Sequence, residues 1–243
     1  FLVYTAADAQ GVLSIGLAKA SNVFGPYEDP IGEPIVRNTG KDPLGVIDPT
    51  LFVHEGTSYL LWKDDGNAVE RPTPIWIQQL TQDGLSRKGT AHELIRNNKS
   101  SWEGDVVEAP WMVRRNGYFY LFYSGNWYYT AEYALGVARS RSLMGPYEKA
   151  PMPVLLTSEN KSNPFYGPGH ASILETSQGE FFVLYHAWIR DENGEPVYER
   201  GRQMLRDSIS WTSDGWPVVG NGGEPTFDAH SRDRKKQQST VVP

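Results

Sequence analysis

Three polar side chains stand inside otherwise apolar segments of this sequence at nearly constant spacing. Asp48 lies within residues 47–53, Glu108 follows 108 − 48 = 60 residues later within residues 107–113, and His170 follows after a further 62. Cleavage of a glycosidic bond needs one carboxylic acid that protonates the leaving oxygen and one carboxylate that activates water. The two carboxylates are candidates for a centre of this kind, with Glu108 as the acid and Asp48 as its modulator and positioner.

The acid of such a centre has to hold its proton near neutral pH. Partial burial of Glu108 and the negative charge of Asp48 would both favour the protonated carboxyl. Each residue alone also has an ordinary structural explanation, because an Asp before Pro commonly caps a turn and a Glu at a strand start is commonly solvated. Their shared spacing and apolar surroundings favour the functional interpretation.

The spacing reflects an internal repeat. Residues 16–28 (GLAKASNVFGPYE) reappear as residues 136–148 (GVARSRSLMGPYE), an offset of 136 − 16 = 120, or two periods of sixty. Short aromatic runs bounded by turn residues mark the single period at 1–6, 59–62, 118–124 and 181–187. Such runs predict middle strands of small antiparallel sheets.

The repeat predicts the architecture. No window shows a sustained helical period with caps at both ends, so helices should be few and short. An all-β chain with one small sheet per repeat is typical of a β-propeller, whose innermost strands line a central channel. Asp48, Glu108 and His170 should then face one another near the axis.

Composition excludes several classes of function. The 243 residues carry a net charge of −6 with no long charged run before residue 230, which argues against nucleic acid or a membrane as partner. No apolar stretch approaches the roughly 18 residues of a membrane span. The absence of cysteine excludes disulfides and cysteine chemistry. No targeting signal is readable, so secreted and cytoplasmic locations both stay open.

Seven short segments, in this order and spacing, resemble glycoside hydrolase family 43. They are FGPY at 24–27, IDP at 47–49, VEAP at 107–110, GPY at 145–147, GHAS at 169–172, GRQ at 201–203 and DGWPVV at 214–219. The resemblance implies a five-bladed β-propeller, of which this chain covers roughly the last four blades. It also implies a catalytic domain over residues 1–227 that is incomplete at its N-terminus, followed by a polar tail or closing segment over 228–243.

The resemblance also implies roles for individual residues. Glu108 would be the general acid, Asp48 would tune its protonation and orient the substrate, and Arg202 would reach into the sugar subsite. His170 would face the axial cavity beside a calcium ion or a water cluster, although no cofactor is required. One imidazole is a weak site for calcium, which prefers oxygen ligands.

Other residues have two interpretations each. Trp111 and Trp127 flank the Glu108 strand and the following strand, and would either form a stacking wall for a sugar ring or pack between sheets. We interpret His186 as a packed, hydrogen-bonded histidine rather than a ligand. Lys63 would either point at substrate or be solvated, and we favour solvation.

The sequence departs from the family at one point. An inverting general base belongs on the innermost strand of the first blade, which would precede Phe1, and the acidic residues Asp8, Asp29 and Asp42 are out of register with it. The chain would then be a cleaved or shortened product, one part of a longer protein, or a natural fragment that a second chain completes. We favour the first two of these interpretations, and an open sheet edge would be a liability in water unless another segment or chain covered it.

These observations predict an inverting, exo-acting glycosidase. It would release terminal α-L-arabinofuranose and/or β-D-xylose from hemicellulose or arabinan oligosaccharides. The alternative is a non-catalytic carbohydrate-binding propeller that keeps the pocket without the base.

Overall fold

The computed structural model describes residues 1–39, 43–158 and 162–226. Asp42 and the predicted tail at 228–243 lie outside this part of the chain. The described residues confirm the prediction of an all-β chain. The strands are β1 (Leu2–Ala7), β2 (Leu13–Ala18), β3 (Val46–His54), β4 (Thr57–Asp64), β5 (Ile75–Leu80), β6 (Arg87–Ile95), β7 (Val107–Arg115), β8 (Tyr118–Gly125), β9 (Ala134–Ser140), β10 (Glu148–Lys149), β11 (Phe165–Glu175), β12 (Phe181–Ile189), β13 (Gln203–Trp211) and β14 (Pro217–Val219).

Helical structure among the described residues is limited to two short 3-10 segments, Gly66–Val69 and Tyr198–Arg200. Neither is long or apolar enough to cross a membrane, and no other described segment is a helix of that kind. The strands form one two-stranded sheet, β1-β2, and three four-stranded sheets in the orders β3-β4-β5-β6, β10-β9-β8-β7 and β11-β12-β13-β14. Consecutive strands are therefore neighbours, as in the small repeated sheets that the sequence predicts.

The chain divides into two compact units. Unit 1 comprises Phe1–Phe122 and Ala138–Glu148, and unit 2 comprises Tyr123–Val137 and Lys149–Pro243. In unit 1, β3 to β6 pair antiparallel throughout. The strand β4 pairs with β3 and β5, and its residues 60–63 are buried. Its side chains join a core that includes Ile15, Leu17, Val46, Leu60 and Trp62.

Unit 2 contains the antiparallel sheet β11 to β14. Alternate residues of its middle strand point inwards, so that Val183, Tyr185 and Ala187 are buried. Asp207 of β13 is also buried, and the hydroxyl group of Tyr185 donates a hydrogen bond to its Oδ2 atom at 2.6 Å. This bond compensates a buried carboxylate that would otherwise be costly.

The aromatic runs at 59–62, 118–124 and 181–187 lie in the predicted middle strands β4, β8 and β12. The run at 1–6 differs, because among the described strands β1 pairs with β2 alone. The side chains of Phe1 and Leu2 are accordingly exposed. Aromatic composition predicts a strand but not whether it has one neighbour or two.

The first strands of the three larger sheets share a backbone feature that shifts the predicted register. Asp48, Ala109 and His170 have positive φ angles of 56°, 53° and 51°, a conformation that residues other than glycine seldom adopt. Their spacings are equal, since 109 − 48 = 61 and 170 − 109 = 61. Asp48 is therefore equivalent to Ala109, and Glu108 lies one residue earlier. A sequence repeat of sixty aligns the two carboxylates, whereas the backbone offsets them by one position.

Candidate active site

The predicted residues are distributed over both units. Unit 1 holds Asp48 on β3 with Glu108 and Trp111 on β7, and unit 2 holds Trp127, His170 and Arg202. Each group is described within its own unit.

Asp48 occupies an irregularity in β3. The ladder between β3 and β4 shifts between Ile47 and Thr50, which leaves room for the positive φ of Asp48. Its Oδ2 atom accepts a hydrogen bond from the backbone N–H of Ala109 at 2.9 Å. Thr50 Oγ1, two residues after Asp48, donates to the carbonyl oxygen of Pro110, the residue after Ala109, at 2.9 Å. These bonds fix the Asp48 carboxylate beside the peptide that follows Glu108.

Glu108 is held by a buried lysine. Nζ of Lys63 lies 3.3 Å from Oε2 of Glu108 and 3.2 Å from Oδ1 of Asp65. The side chain of Lys63 is 1% exposed, while those of Glu108 and Asp65 are 14% and 17% exposed. The expectation that Lys63 is solvated is therefore wrong. Lys63 lies on β4, which packs against β7, and its ammonium group is buried between the two carboxylates.

A third carboxyl group, that of Asp64, directly precedes Asp65 in the sequence. Asp64 accepts hydrogen bonds from Trp76 Nε1 at 3.0 Å and from Asn38 Nδ2 at 3.3 Å. Burial raises the pKa of Asp64 despite these two donors, and the charge of Glu93 adds to the increase. Adjacent aspartates therefore have separate partners: Asp65 pairs with the lysine, and Asp64 with an indole and an amide.

The two predicted stacking residues have different surroundings. Trp111 is half-buried on β7, three residues after Glu108. Trp127 follows β8 in unit 2, is half-buried, and lies with its ring 5.9 Å from that of Tyr129 at an interplanar angle of 33°. Tyr128 and Tyr129 beside it are 45% and 46% exposed. Trp127 thus belongs to an aromatic loop that is partly open to solvent, and the role of Trp111 stays a prediction.

Arg202 lies among aromatic side chains of unit 2. Its Cζ atom is 5.1 Å from the centre of the Tyr128 ring and 5.8 Å from that of Trp188, within the range of cation–π attraction. Trp188 Nε1 donates to the carbonyl oxygen of Tyr128 at 2.8 Å, which holds the two rings together. The guanidinium group is exposed, so donors that are not engaged by the protein can meet a ligand.

His186 is packed and in polar contact, as the sequence analysis interpreted it, and its partner is Arg202. Its Nε2 atom lies 2.9 Å from Nη1 of Arg202, and because a guanidinium can only donate, the imidazole accepts. Its ring stacks on that of Tyr133, with centroids 5.8 Å apart and an interplanar angle of 8°. Burial, with the charges of Arg202 and His170, lowers the pKa of His186 to about 3. The pairing of His186 with Met204 brings the imidazole to the arginine, which sequence separation alone does not indicate.

His170 stands at its predicted place on β11. Its backbone N–H donates to Ser124 Oγ at 2.7 Å, and its ring lies 6.1 Å from that of His186. Within the described ranges, no three His, Cys, Asp or Glu side chains are grouped so that they could hold a metal ion. The calcium ion that the resemblance places beside His170 stays a prediction.

The described strands form small antiparallel sheets, and the first strands of two of them carry the half-buried Asp48 and Glu108. The chain belongs to the glycosyl hydrolases family 43, whose family model matches residues 1–217. This match agrees with the resemblance carried by the seven sequence segments.

Two curated relatives illustrate the family. A non-reducing end α-L-arabinofuranosidase of Bacteroides ovatus is 29% identical over 223 residues, which cover 90% of this chain and 37% of that protein. A xylosidase/arabinosidase of Butyrivibrio fibrisolvens is 28% identical over 219 residues, which cover 85% and 38%. The chain therefore spans well under half the length of these relatives.

A solved structure supports the fold. The crystal structure of a thermostable family-43 glycoside hydrolase shares 29% sequence identity with this chain and superposes with a TM-score of 0.77, covering 92% of this chain and 72% of that one. The likeness confirms the predicted fold class, a partial five-bladed β-propeller of the family-43 type.

Proposed function

We propose that this protein is an inverting, exo-acting glycosidase that releases terminal α-L-arabinofuranose and/or β-D-xylose from hemicellulose or arabinan oligosaccharides. Glu108 is the general acid, and Asp48 orients it and modulates its protonation. The observation that carries the proposal is the bond from the N–H of Ala109 to Asp48, which holds the second carboxylate beside the residue that follows the acid. The names of the two relatives support these sugars.

The chemistry assigned to this chain is the departure of the aglycone. Glu108 transfers its proton to the glycosidic oxygen as the bond from that oxygen to the anomeric carbon breaks, so the aglycone leaves as a neutral alcohol. Water attacks the opposite face of the sugar and loses a proton to a base, which we assign to no residue of this chain. Asp48 remains ionised and acts on the acid through position and charge.

Arg202 is the proposed sugar-binding residue of unit 2. Its guanidinium group is oriented by His186 and by the rings of Tyr128 and Trp188. A guanidinium oriented in this way presents donors in a fixed geometry, which suits the hydroxyl groups of a small sugar. Trp127 supports the same ligand by stacking.

The test compares hydrolysis of arabino- and xylo-oligosaccharides with hydrolysis of the corresponding 4-nitrophenyl glycosides. Glu108→Gln should lower turnover of the oligosaccharides by about 10²–10⁴-fold, because their leaving groups need protonation, and should lower turnover of the nitrophenyl glycosides much less. Glu93→Gln, which loses an ion pair with Arg96 at the surface, serves as the matched control. NMR of the first-formed anomer reports inversion.

Unchanged oligosaccharide turnover in Glu108→Gln would refute the assignment of the acid. An unmodified chain that binds the released sugars without cleaving either substrate class would instead be the non-catalytic carbohydrate-binding propeller.

A further inference from the structure

The buried ion pair of unit 1 has no part in the mechanism above. We propose that Asp65 is a positioning residue that acts through Lys63 to set the protonation state of Glu108. This inference rests on the proposed role of Glu108 as the acid. It adds a second control of that acid, separate from Asp48.

The geometry places one cation between two carboxylates. Nζ of Lys63 is almost equidistant from Oδ1 of Asp65 and Oε2 of Glu108, at 3.2 Å and 3.3 Å. The lysine side chain is 1% exposed, so water cannot screen its charge well. A buried ammonium keeps its proton only when it is paired, and Asp65 is the carboxylate that remains ionised when Glu108 carries a proton.

An ammonium group so close to the acid would by itself oppose the acid's function. A neighbouring positive charge favours the ionised form of a carboxyl, and an ionised Glu108 has no proton to donate. Asp65 offsets this effect because Lys63 and Asp65 together carry no net charge. Glu108 then receives a hydrogen-bond donor that fixes its orientation, while most of the field of the ammonium is cancelled.

Other side chains near Glu108 stay unchanged in the variants used below. Asp48 of β3 bonds to the N–H of Ala109, the residue that follows Glu108. The strand β5 (IWIQQL) carries no ionisable side chain, and the ionisable side chains of β8 (YFYLFYSG) are tyrosines. The variants at Asp65 and Lys63 leave all of these side chains in place.

The experiment is a direct titration that does not depend on turnover. Chain labelled with ¹³C at the glutamate side-chain carboxyl is followed by NMR from pH 3 to pH 9, and the resonance missing from Glu108→Gln identifies Glu108. In Asp65→Asn the side-chain amide oxygen still accepts a hydrogen bond from Lys63, but the negative charge of Asp65 is lost. The titration midpoint of Glu108 should therefore fall by about one pH unit or more. In Lys63→Met the titration midpoint of Glu108 should rise. In the double variant Lys63→Met/Asp65→Asn it should return towards the value in the unmodified chain.

Asp64→Asn is the matched control, because Asp64 is the adjacent carboxylate but bonds to Trp76 and Asn38 rather than to Lys63. Its effect on the midpoint should be less than half that of Asp65→Asn. Thermal unfolding identifies any variant that fails to fold, and Asp65→Asn, which preserves shape, decides the matter if Lys63→Met does not fold.

A midpoint that stays in place or rises in Asp65→Asn overturns the inference. With active protein, the basic limb of the kcat/KM profile should move to lower pH in Asp65→Asn, with KM changed less than kcat. An inactive chain with the expected titration shifts would refute the proposed function and leave this electrostatic coupling intact, so the two failures are distinguishable.

Discussion

The Oδ2 atom of Asp48 accepts the backbone N–H of Ala109 at 2.9 Å, and both residues have positive φ angles at equivalent points of the strands β3 and β7. The bond joins two irregular backbone positions, one in each sheet. The same residue that we assign to modulate the acid thus also holds its backbone in place.

Stability should distinguish the two roles of Asp48. Asp48→Asn keeps an acceptor for Ala109 and tolerates positive φ, so its free energy of unfolding should stay within about 1 kcal/mol of the unmodified chain. Asp48→Ala loses the acceptor and suits this backbone less well, and should cost about 2–4 kcal/mol. Urea unfolding measures both. Equal stability of the two variants would show that the bond contributes nothing.

His186 should make unit 2 sensitive to acid. Its pKa is lowered to about 3 from the usual histidine value of 6.5, so between these values the unfolded chain binds a proton that the folded chain does not. Stability should therefore fall as pH falls through this window, by at most about 1.4 kcal/mol per pH unit from this group. His186→Gln should flatten the dependence in urea unfolding measured from pH 6.5 to pH 4, and an unchanged slope would contradict the assignment.

Arg202 should be one cause of that low pKa, because its guanidinium lies 2.9 Å from the imidazole. Arg202→Met should raise the pKa of His186, as measured by NMR titration of the imidazole ring. Arg206→Met is the matched control, since Arg206 lies over the ring of Phe182 at 5.3 Å and not against a histidine. Equal pKa values in the two variants would exclude Arg202 as a cause.

The buried carboxyl group of Asp207 should make the hydroxyl group of Tyr185 more important for stability than that of the half-buried Tyr147. Tyr185 donates to this carboxylate at 2.6 Å, and Thr226 Oγ1 also bonds to it. Tyr185→Phe should cost about 1.5–3 kcal/mol, as expected for a bond to a charged group. Tyr147→Phe loses a bond to the carbonyl oxygen of Leu143 and should cost about 0.5–1.5 kcal/mol. Denaturant unfolding of the two variants gives the comparison, and a smaller loss in Tyr185→Phe would count against it.

Gly169 should be intolerant of any side chain. A Cβ atom there would overlap the ring of Tyr133 and approach Ser124 Oγ, which accepts the N–H of His170. Gly169→Ala should therefore destabilise the chain by about 1–3 kcal/mol. Ser172→Ala, half-buried in the same strand, should change stability by no more than about 0.5 kcal/mol. Thermal unfolding of the pair decides whether close packing is the cause.

The sequence by itself determined the all-β class, the sixty-residue repeat and the strands that carry Asp48, Glu108 and His170. It could do so because strand patterns and turn residues are local, and because a repeated unit shows its period directly. The resemblance to family 43 was readable for the same reason, since short motifs retain their order and spacing.

Only the tertiary structure decided the partners of these residues. The one-residue offset between Asp48 and Glu108 comes from a backbone irregularity that no spacing reveals. The burial of Lys63 depends on the packing of β4 against β7, and the contact of His186 with Arg202 depends on the pairing of β12 with β13. Each is a non-local contact, and a single sequence specifies such contacts only through the folded chain as a whole.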